Sequence, residues 1–192
     1  MKFKNVIFLD IDGVINNREA YDYYHSNLSH YDVLSIQEIN RNDRYLVGLF
    51  SNYENNEHGE IYSKELVKQL AELCDKYQAQ VVLVSSASDV VTPTNLDYWK
   101  KTFNLDIIDY KACTGSLDSR LSYMYSWIDK RNRDASDAKY RGILIDDLNI
   151  PNEDIEQYQN RFFIHVKNGL TQEDFDRLET MLIGDGGYYG VF

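Results

Sequence analysis

The sequence predicts an α/β protein built on a mostly parallel β-sheet. Short apolar runs of strand length, such as Val81 to Val84, alternate along the chain with segments whose apolar residues recur at helical spacing. Alternating strands and helices favour parallel strand pairing, with helices covering the sheet. The strand runs are apolar almost throughout, which is typical of strands that are buried on both faces.

In the first half of the chain, two strands and two helices are expected. Lys4 to Asp10 is predicted as a buried strand, and Val81 to Val84 as the next one. One helix begins near Ser63, and another begins at Thr92 and Pro93, which have N-cap and N1 character. The apolar positions that define these helices are Leu66, Leu70, Leu73 and Tyr77, then Leu96, Trp99 and Phe103.

The second half is expected to add three strands and two helices. The predicted elements are a brief strand at Ile107 and Ile108, a helix over about Ser119 to Lys130, a polar loop from Arg131 to Arg141, and strands over Gly142 to Ile145 and Phe162 to Val166. Thr171 and Asp174 then open the last helix by a capping-box pattern. The tail from Gly184 to Phe192 is rich in glycine and aromatic residues, and it is either loose or folded back.

Length, composition and charge narrow the class of protein. The 192 residues, 43% of them hydrophobic, can bury a sizeable core, so residues 1–192 are expected to form a single domain. A formal net charge of -11 disfavours binding of extended nucleic acid, because the surface repels polyanions. No run approaches the ~20 apolar residues of a membrane span, and no signal-peptide pattern is found, so a cytoplasmic location is expected.

Cysteine and histidine do not indicate a metal centre. Cys74 and Cys113 lack the spacing of a zinc site or of a disulfide framework, and core packing is their expected role. The four histidines are isolated from one another and from cysteine, apart from a loose pair, and are interpreted as incidental. They are His25, His30, His58 and His165.

Residues 16–60 depart from the alternating pattern and are predicted to form an insertion after the first strand. The segment is polar, rich in asparagine and tyrosine, and only weakly periodic until Tyr45 to Phe50. Seven of the sixteen tyrosines of the chain lie between Tyr21 and Tyr62. Aromatic rings that carry a hydroxyl suit the wall of a wet pocket and equally suit a small, partly exposed core, so both interpretations stay open.

Polar side chains follow three of the predicted strands at the point where each strand ends. They are Asp10 and Asp12, Ser85 and Ser86, and Asp146 and Asp147, after the first, second and fourth strands. The carboxyl ends of parallel strands lie side by side, so these groups can converge although they are far apart in sequence. Asp10 and Asp12 point to opposite faces of an extended chain, so both reach one site only if the chain bends, as Gly13 allows.

Such a cluster of carboxylates predicts a bound cation. Four carboxylates brought together repel each other and raise one another's pKa unless a hard divalent cation lies between them. Mg²⁺ prefers oxygen ligands and readily keeps waters and a phosphate oxygen in its shell. The sequence therefore predicts a Mg²⁺ site at this edge of the sheet.

Three segments resemble motifs of the haloacid-dehalogenase-like (HAD) phosphohydrolases. FLDIDGVI resembles the first motif of that family, VVLVSS the second and ILIDD the fourth, in the expected order. Within the superfamily the chain is similar to the HAD domain associated with RNA-repair proteins, through its DxDGV, its serine pair, a helix led by Arg120, and Gly169-Leu170-Thr171. The resemblance covers nearly the whole chain. It implies a Rossmann-like three-layer sandwich in which residues 16–60 form a small cap that excludes water and selects the substrate.

The resemblance implies a role for each acidic residue. Asp10 would be the nucleophile that forms an aspartyl-phosphate, and Asp12 would be the general acid and base. Mg²⁺ would be held by the Asp10 carboxylate, the Asp12 carbonyl and Asp146, with Asp147 supporting or replacing Asp146.

The resemblance also implies groups that bind the phosphate. Ser85 would hydrogen-bond a phosphate oxygen, with Ser86 as the alternative. The family places a lysine or arginine at a helix start to balance the charge of the phosphate and the nucleophile, and Arg120 is the candidate here. Lys111 and Lys130 are the alternatives for that position.

The leading functional interpretation is a Mg²⁺-dependent phosphatase that hydrolyses a small phosphorylated metabolite or nucleotide through an aspartyl-phosphate. One alternative is a phosphatase for the 3′ or 5′ ends of nucleic acid, which the RNA-repair resemblance suggests and the net charge of -11 opposes. Another is a non-catalytic module that binds phosphate or Mg²⁺, which the presence of both Asp10 and Asp12 opposes. The sequence does not determine the oligomeric state.

Overall fold

The computed structural model describes residues 3–15, 45–47, 61–86, 93–113, 115–149, 151, 155–156, 158 and 161–190. Within these residues the strands are β1 (Phe3–Leu9), β2 (Tyr45–Val47), β3 (Ile61–Ser63), β4 (Gln80–Leu83), β5 (Ile107–Tyr110), β6 (Lys139–Asp146) and β7 (Phe163–His165). The helices are α1 (Lys64–Tyr77), α2 (Pro93–Phe103), α3 (Leu117–Asp134) and α4 (Gln172–Ile183).

Five of the strands form one parallel sheet in the order β5-β4-β1-β6-β7. The strand β1 lies at the centre, with Leu9 aligned with Leu83 of β4 and with Ile145 of β6. The carboxyl ends of these three strands therefore stop at the same level of the sheet. The predicted α/β class with a parallel central sheet is confirmed.

Helices cover both faces of the sheet, which makes the three-layer sandwich. Residues 7 and 9 of β1 pack on one face among side chains of α1, α2 and α4, whereas Val6 and Phe8 pack on the other face against α3. This alternation follows from the period of two along a strand, and it explains why the strand is apolar at every position. Of the helices that the structure describes, none has the length and apolar character needed to cross a membrane.

Capping side chains mark the start of three of the described helices, α1, α3 and α4. The hydroxyl of Ser63 accepts a hydrogen bond from the Leu66 N–H at the start of α1. The predicted capping box of α4 is present, because Thr171 Oγ1 accepts from the Asp174 N–H and the Asp174 carboxylate accepts from the Thr171 N–H. Each cap satisfies donors that a helix leaves unpaired in its first turn.

The predicted polar loop from Arg131 to Arg141 is wrong. Helix α3 continues to Asp134, and β6 begins at Lys139. The buried side chain of Asn132 donates to Tyr140 O at 2.9 Å and accepts from the Tyr140 N–H at 2.6 Å, so it joins the end of α3 to the start of β6. A polar residue therefore fills a buried position here, where the sequence pattern indicates solvent.

The C-terminal tail is folded back on the domain as far as residue 190. Gly142 and Tyr188 exchange two backbone hydrogen bonds, at 2.9 and 2.7 Å, beside the early part of β6 that β7 is too short to cover. The guanidinium of the buried Arg141 donates to the carbonyls of Leu182, Gly184 and Gly186, which end α4 and begin the tail. Of the two interpretations that the sequence left open, the folded one holds.

The insertion leaves the core and returns to it at neighbouring points. The Ser63 N–H donates to Ile15 O at 3.1 Å, and β2 pairs with β3 in an antiparallel ladder. Apart from residues 45–47, the predicted cap over residues 16–60 lies outside the described residues, and so does most of its cluster of tyrosines. Its role as a cap stays a prediction.

Candidate active site

Three neighbouring strands deliver polar groups to one point at the carboxyl edge of the sheet. Asp10 follows β1 directly and is 3% exposed, and its backbone N–H still pairs with Ile145 O of β6. Ser85 follows β4 and is fully buried, and its hydroxyl hydrogen-bonds to the Asp10 carboxylate. Asp146 ends β6 and is also fully buried. The central position of β1 brings these residues together.

A sharp turn after Asp10 brings the next acidic residue round to the same site. The N–H groups of Val14 and Ile15 both donate to Ile11 O, and Gly13 has a φ of 71°. A positive φ is easy only for glycine. The half-buried Asp12 interacts electrostatically with both Asp10 and Asp147.

Asp146 and Asp147 face the same centre after β6. One oxygen of Asp146, Oδ1, accepts a hydrogen bond from the Leu148 N–H at 3.1 Å, which leaves Oδ2 pointing into the site. The carboxylate of Asp147 lies directly over Gly13, where an added Cβ would come within 1.7 Å of Asp147 Oδ2. The glycine is therefore required for close approach as well as for the turn.

A single cation lies among these carboxylates within the described part of the chain. Arg120 projects from the first turns of α3 and is 3% exposed. Its Nη1 lies 2.9 Å from Asp10 Oδ1 and 3.2 Å from Asp146 Oδ2. These are ion-pair distances, but the N–H groups do not align with either oxygen as a hydrogen bond requires. The contact is thus electrostatic, with a guanidinium shared between two carboxylates.

Burial and mutual repulsion raise the pKa values of three acidic side chains in the cluster. Burial raises the pKa of Asp10 to about 6, against the opposing effect of Arg120 and the Ser85 hydrogen bond. Burial and the neighbouring Asp10 raise the pKa of Asp146 to about 7. The pKa of Asp147 is also raised, by burial and by Asp12. Because Asp10 and Asp146 interact strongly, the pair titrates as a unit.

The oxygen atoms of the cluster fit a hard divalent cation. Asp10, Asp146 and Asp147 each offer one carboxylate oxygen, and these oxygens lie within 4.8 Å of one another. Asp10 Oδ1 and Asp146 Oδ2 are buried, and no residue that the structure describes donates an aligned hydrogen bond to them. Buried carboxylate oxygens in need of a partner are the ligands that Mg²⁺ prefers.

The other predicted site residues are exposed, unlike the buried groups of the acid cluster. Ser86 is exposed, unlike Ser85. Lys111 and Lys130 are both exposed, and Lys130 lines a cavity with Lys4 and Tyr140 at the opposite, amino end of the strands. Of the three basic residues considered from the sequence, the one in contact with the acid cluster is therefore Arg120.

Two features of the site were not foreseen. His165 aligns with Asp146 across the β6–β7 pair, acts electrostatically on Asp147, and places Nε2 2.9 Å from Leu148 O, so it supports the loop after β6. Beyond it, a cleft of about 620 Å³ is lined by residues that include His165, Lys167 and Gly169. The Gly169 N–H donates to Gly13 O at 2.7 Å, which joins one wall of this cleft to the turn after Asp10.

Replacing Gly13 by alanine is expected to disturb the site more than the fold. The new Cβ would collide with Asp147 and would hold a φ that alanine resists, at about 1–3 kcal/mol of strain. We expect Mg²⁺ affinity to fall and the free energy of unfolding in urea to drop by that amount. Gly115→Ala is the control, because an added Cβ there meets no atom of the described residues within 4 Å. Equal effects of the two substitutions would contradict this geometry.

The raised pKa values predict how the stability of the metal-free protein depends on pH. Asp10 and Asp146 bind protons more tightly in the folded state, so their contribution to stability is complete below pH 3.8 and is lost as pH rises through about 6 and 7. In EDTA the melting temperature should therefore fall by several degrees between about pH 5 and pH 8. Saturating Mg²⁺ should reduce this fall. A flat profile in EDTA would show that the carboxyls titrate normally.

The parallel sheet and the acid cluster at its edge define an HAD-like α/β domain, a class whose chemistry is phosphohydrolase-like. Over residues 6–175 the sequence matches the family described as the HAD domain in Swiss Army Knife RNA repair proteins, and the chain belongs to that family. Comparisons with curated proteins and with solved structures found no match. The predicted relation to HAD domains of RNA-repair proteins is thus confirmed.

Proposed function

We propose that this protein is a Mg²⁺-dependent phosphatase that hydrolyses a phosphomonoester through an aspartyl-phosphate on Asp10. The observation that carries the proposal is the convergence of Asp10, Asp146, Asp147 and Arg120 at the carboxyl edge of an HAD-like sheet. Phosphoryl transfer depends on positioning and charge neutralisation. It therefore requires acidic ligands that hold a metal ion, together with a buried positive side chain beside the nucleophile.

Asp10 is the nucleophile in this proposal. Its carboxylate attacks phosphorus, a bond forms between oxygen and phosphorus, and the bond to the leaving oxygen breaks. The Ser85 hydroxyl and the Arg120 guanidinium both contact the Asp10 carboxylate, which restricts its orientation for the attack. A bound Mg²⁺, held by Asp10, Asp146 and Asp147 with the Asp12 carbonyl, would neutralise negative charge on the phosphate.

Asp12 is the general acid and the general base in this proposal. It donates a proton to the leaving oxygen as the first bond breaks, and it then accepts a proton from the water that hydrolyses the aspartyl-phosphate. The turn at Gly13 places Asp12 beside the acid cluster. Being half-buried, Asp12 keeps access to solvent, and therefore to the hydrolytic water.

Ser85 and Arg120 are the proposed phosphate ligands. Nε of Arg120 is buried and has no aligned acceptor among the described residues, so the guanidinium retains a donor for a phosphate oxygen. Ser86, which is exposed, is the second serine available to a phosphate that enters from solvent.

The proposed substrate is a small phosphorylated metabolite or a nucleotide. The cleft of about 620 Å³ beside Gly169 lies within the usual range of small-ligand sites, and its lining is mixed in charge, with Lys167 and Arg177 beside three carboxylates. The net charge of -11 opposes longer polyanions.

A second candidate function is removal of phosphate from RNA ends, which the match to a family of RNA-repair HAD domains favours. The effect of salt on KM should differ between a small phosphorylated substrate and a phosphorylated oligonucleotide. Because the surface is acidic, added salt should screen repulsion and lower KM for a phosphorylated oligonucleotide, the reverse of what proteins with a basic binding track show.

One panel of substrates tests these proposals. The purified protein is incubated with Mg²⁺ and p-nitrophenyl phosphate, with 3′- and 5′-mononucleotides, and with short oligonucleotides phosphorylated at either end, at low and high salt. We expect turnover that EDTA abolishes, with kcat/KM highest for the small substrates. Preference for oligonucleotides at all salt concentrations would favour the RNA-end function. Absence of turnover with intact Mg²⁺ binding would instead favour a non-catalytic module.

A further inference from the structure

We propose that Arg120 competes with the divalent cation for Asp10 and Asp146, and so acts as an internal counter-ion that keeps the metal-free site assembled and lowers its affinity for metal. The inference rests on the proposed function in one respect, namely that Asp10 and Asp146 are metal ligands. It goes further, because it assigns Arg120 a role before any phosphate enters the site.

The competition follows from the identity of the atoms involved. Asp146 Oδ1 is already engaged by the Leu148 N–H, so Oδ2 is the oxygen that remains for a cation. Among the described residues, Asp10 Oδ1 and Asp146 Oδ2 lack aligned hydrogen bonds, and Nη1 of Arg120 lies against both, at 2.9 and 3.2 Å. A metal ion that binds these two oxygens must displace the same nitrogen from at least one of them.

Burial and the helix dipole disfavour a positive charge at Arg120, and the acidic residues of the described site, Asp10, Asp146 and Asp147, offset this. The side chain is 3% exposed, so the guanidinium has lost nearly all contact with water. It also belongs to the first turns of α3, where the helix dipole favours negative charge. Neither Nη1 nor Nε has an aligned acceptor that could hold it independently of the carboxylates. Among the described residues, Nη1 is therefore held by the same charges that attract a metal ion.

The balance of charge indicates a shift of Arg120 and not its expulsion. Three ionised carboxylates, on Asp10, Asp146 and Asp147, are neutralised by one divalent cation together with one guanidinium. The competition is thus for oxygen atoms. A guanidinium that withdraws from Asp146 while it stays near Asp10 exposes N–H groups toward the place where the phosphate would bind. Metal binding would in this way prepare Arg120 for the substrate.

The test is Mg²⁺ binding to the phosphate-free protein, measured by calorimetric titration and by the melting temperature in EDTA and in Mg²⁺. Measurements are made at about pH 8.5, so that loss of the guanidinium does not leave the carboxyls protonated. Arg120→Met should bind Mg²⁺ about tenfold more tightly than wild type, because a competing charge is gone. It should also melt lower in EDTA, with a larger rise on adding Mg²⁺.

Arg141→Met is the matched control, because Arg141 is also a buried arginine but contacts the end of α4 and the tail. It should lower the melting temperature in EDTA and in Mg²⁺ alike, with unchanged Mg²⁺ affinity. If Arg120→Met binds Mg²⁺ no more tightly than wild type, the competition is refuted while the phosphatase proposal stands. If the wild type binds no Mg²⁺, both fail.

A second measurement guards against a variant that does not fold. Side-chain ¹⁵N NMR of the arginines in the wild-type protein follows the Nε–H of Arg120 directly during a Mg²⁺ titration. We expect its signal to shift or to exchange faster with solvent as Mg²⁺ saturates the site, while that of Arg141 stays constant. A constant Arg120 signal at saturating Mg²⁺ would overturn the proposal. Arg120→Lys should give an intermediate affinity, because a shorter cation remains near the carboxylates.

Discussion

Replacing Asp10 by asparagine should lower kcat by about 10⁴-fold or more, because the variant loses the oxygen nucleophile on which the proposed reaction depends. Turnover of p-nitrophenyl phosphate measures this loss. An aspartyl-phosphate should also become undetectable by mass spectrometry of acid-quenched protein. The stability of the fold should not fall, since burial makes the ionised Asp10 carboxylate unfavourable in the metal-free protein.

The melting temperature of Asp10→Asn distinguishes a loss of catalysis from a loss of folding. The melting temperature of Asp10→Asn in EDTA should equal or exceed that of wild type at neutral pH, because one member of a repelling pair is removed. Asp118→Asn, at an exposed acid in the first turn of α3, is the control for loss of a carboxylate outside the cluster. Wild-type turnover in Asp10→Asn would exclude Asp10 as the nucleophile.

Replacing Asp12 by asparagine should have the second largest effect, a loss of about 10²–10⁴-fold in kcat, which is the usual contribution of general acid–base catalysis. The loss should depend on the leaving group. A nitrophenolate leaves without a proton, so the phosphoryl group should still reach Asp10 and then persist there, because its hydrolysis lacks a base. Rapid-quench measurements should show a burst of nitrophenol followed by slow turnover.

The leaving-group dependence supplies the control. An alkyl phosphate needs protonation of its leaving oxygen, so Asp12→Asn should accumulate no phosphorylated protein from it. An equal rate reduction for both substrates, without a burst, would assign Asp12 a structural or metal-binding role. Asp10→Asn should show no burst with either substrate, which distinguishes the two carboxylates.

The sequence was sufficient to predict the parallel α/β architecture and the convergence of the acidic residues at one edge of the sheet. Buried strands show continuous apolar runs, and the polar residues at their ends are visible because they interrupt those runs. Parallel pairing then places the ends of neighbouring strands together, so the convergence of Asp10 with Asp146 follows from topology alone.

Three features of the structure depend on tertiary contacts that leave no recognisable pattern in the local sequence. An arginine in the first turn of a helix resembles any surface cation, and only the family resemblance singled out Arg120. Asn132 is buried through hydrogen bonds, so a pattern based on hydrophobicity placed it in a loop. The fit of Asp147 over Gly13 joins residues far apart in sequence, and it is set by the tertiary structure.

The hydrogen bond between Ser63 and Ile15 makes the intervening chain an excursion with adjacent ends. Closing such an excursion with a short linker costs little loop entropy and leaves the strand order of the core unchanged. The carboxyl edge of the sheet and the segment between Ile15 and Ser63 can therefore vary independently in evolution. If the segment selects the substrate as proposed, chimaeras that exchange it at Ile15 and Ser63 should change the preferred substrate and keep the same requirement for Asp10.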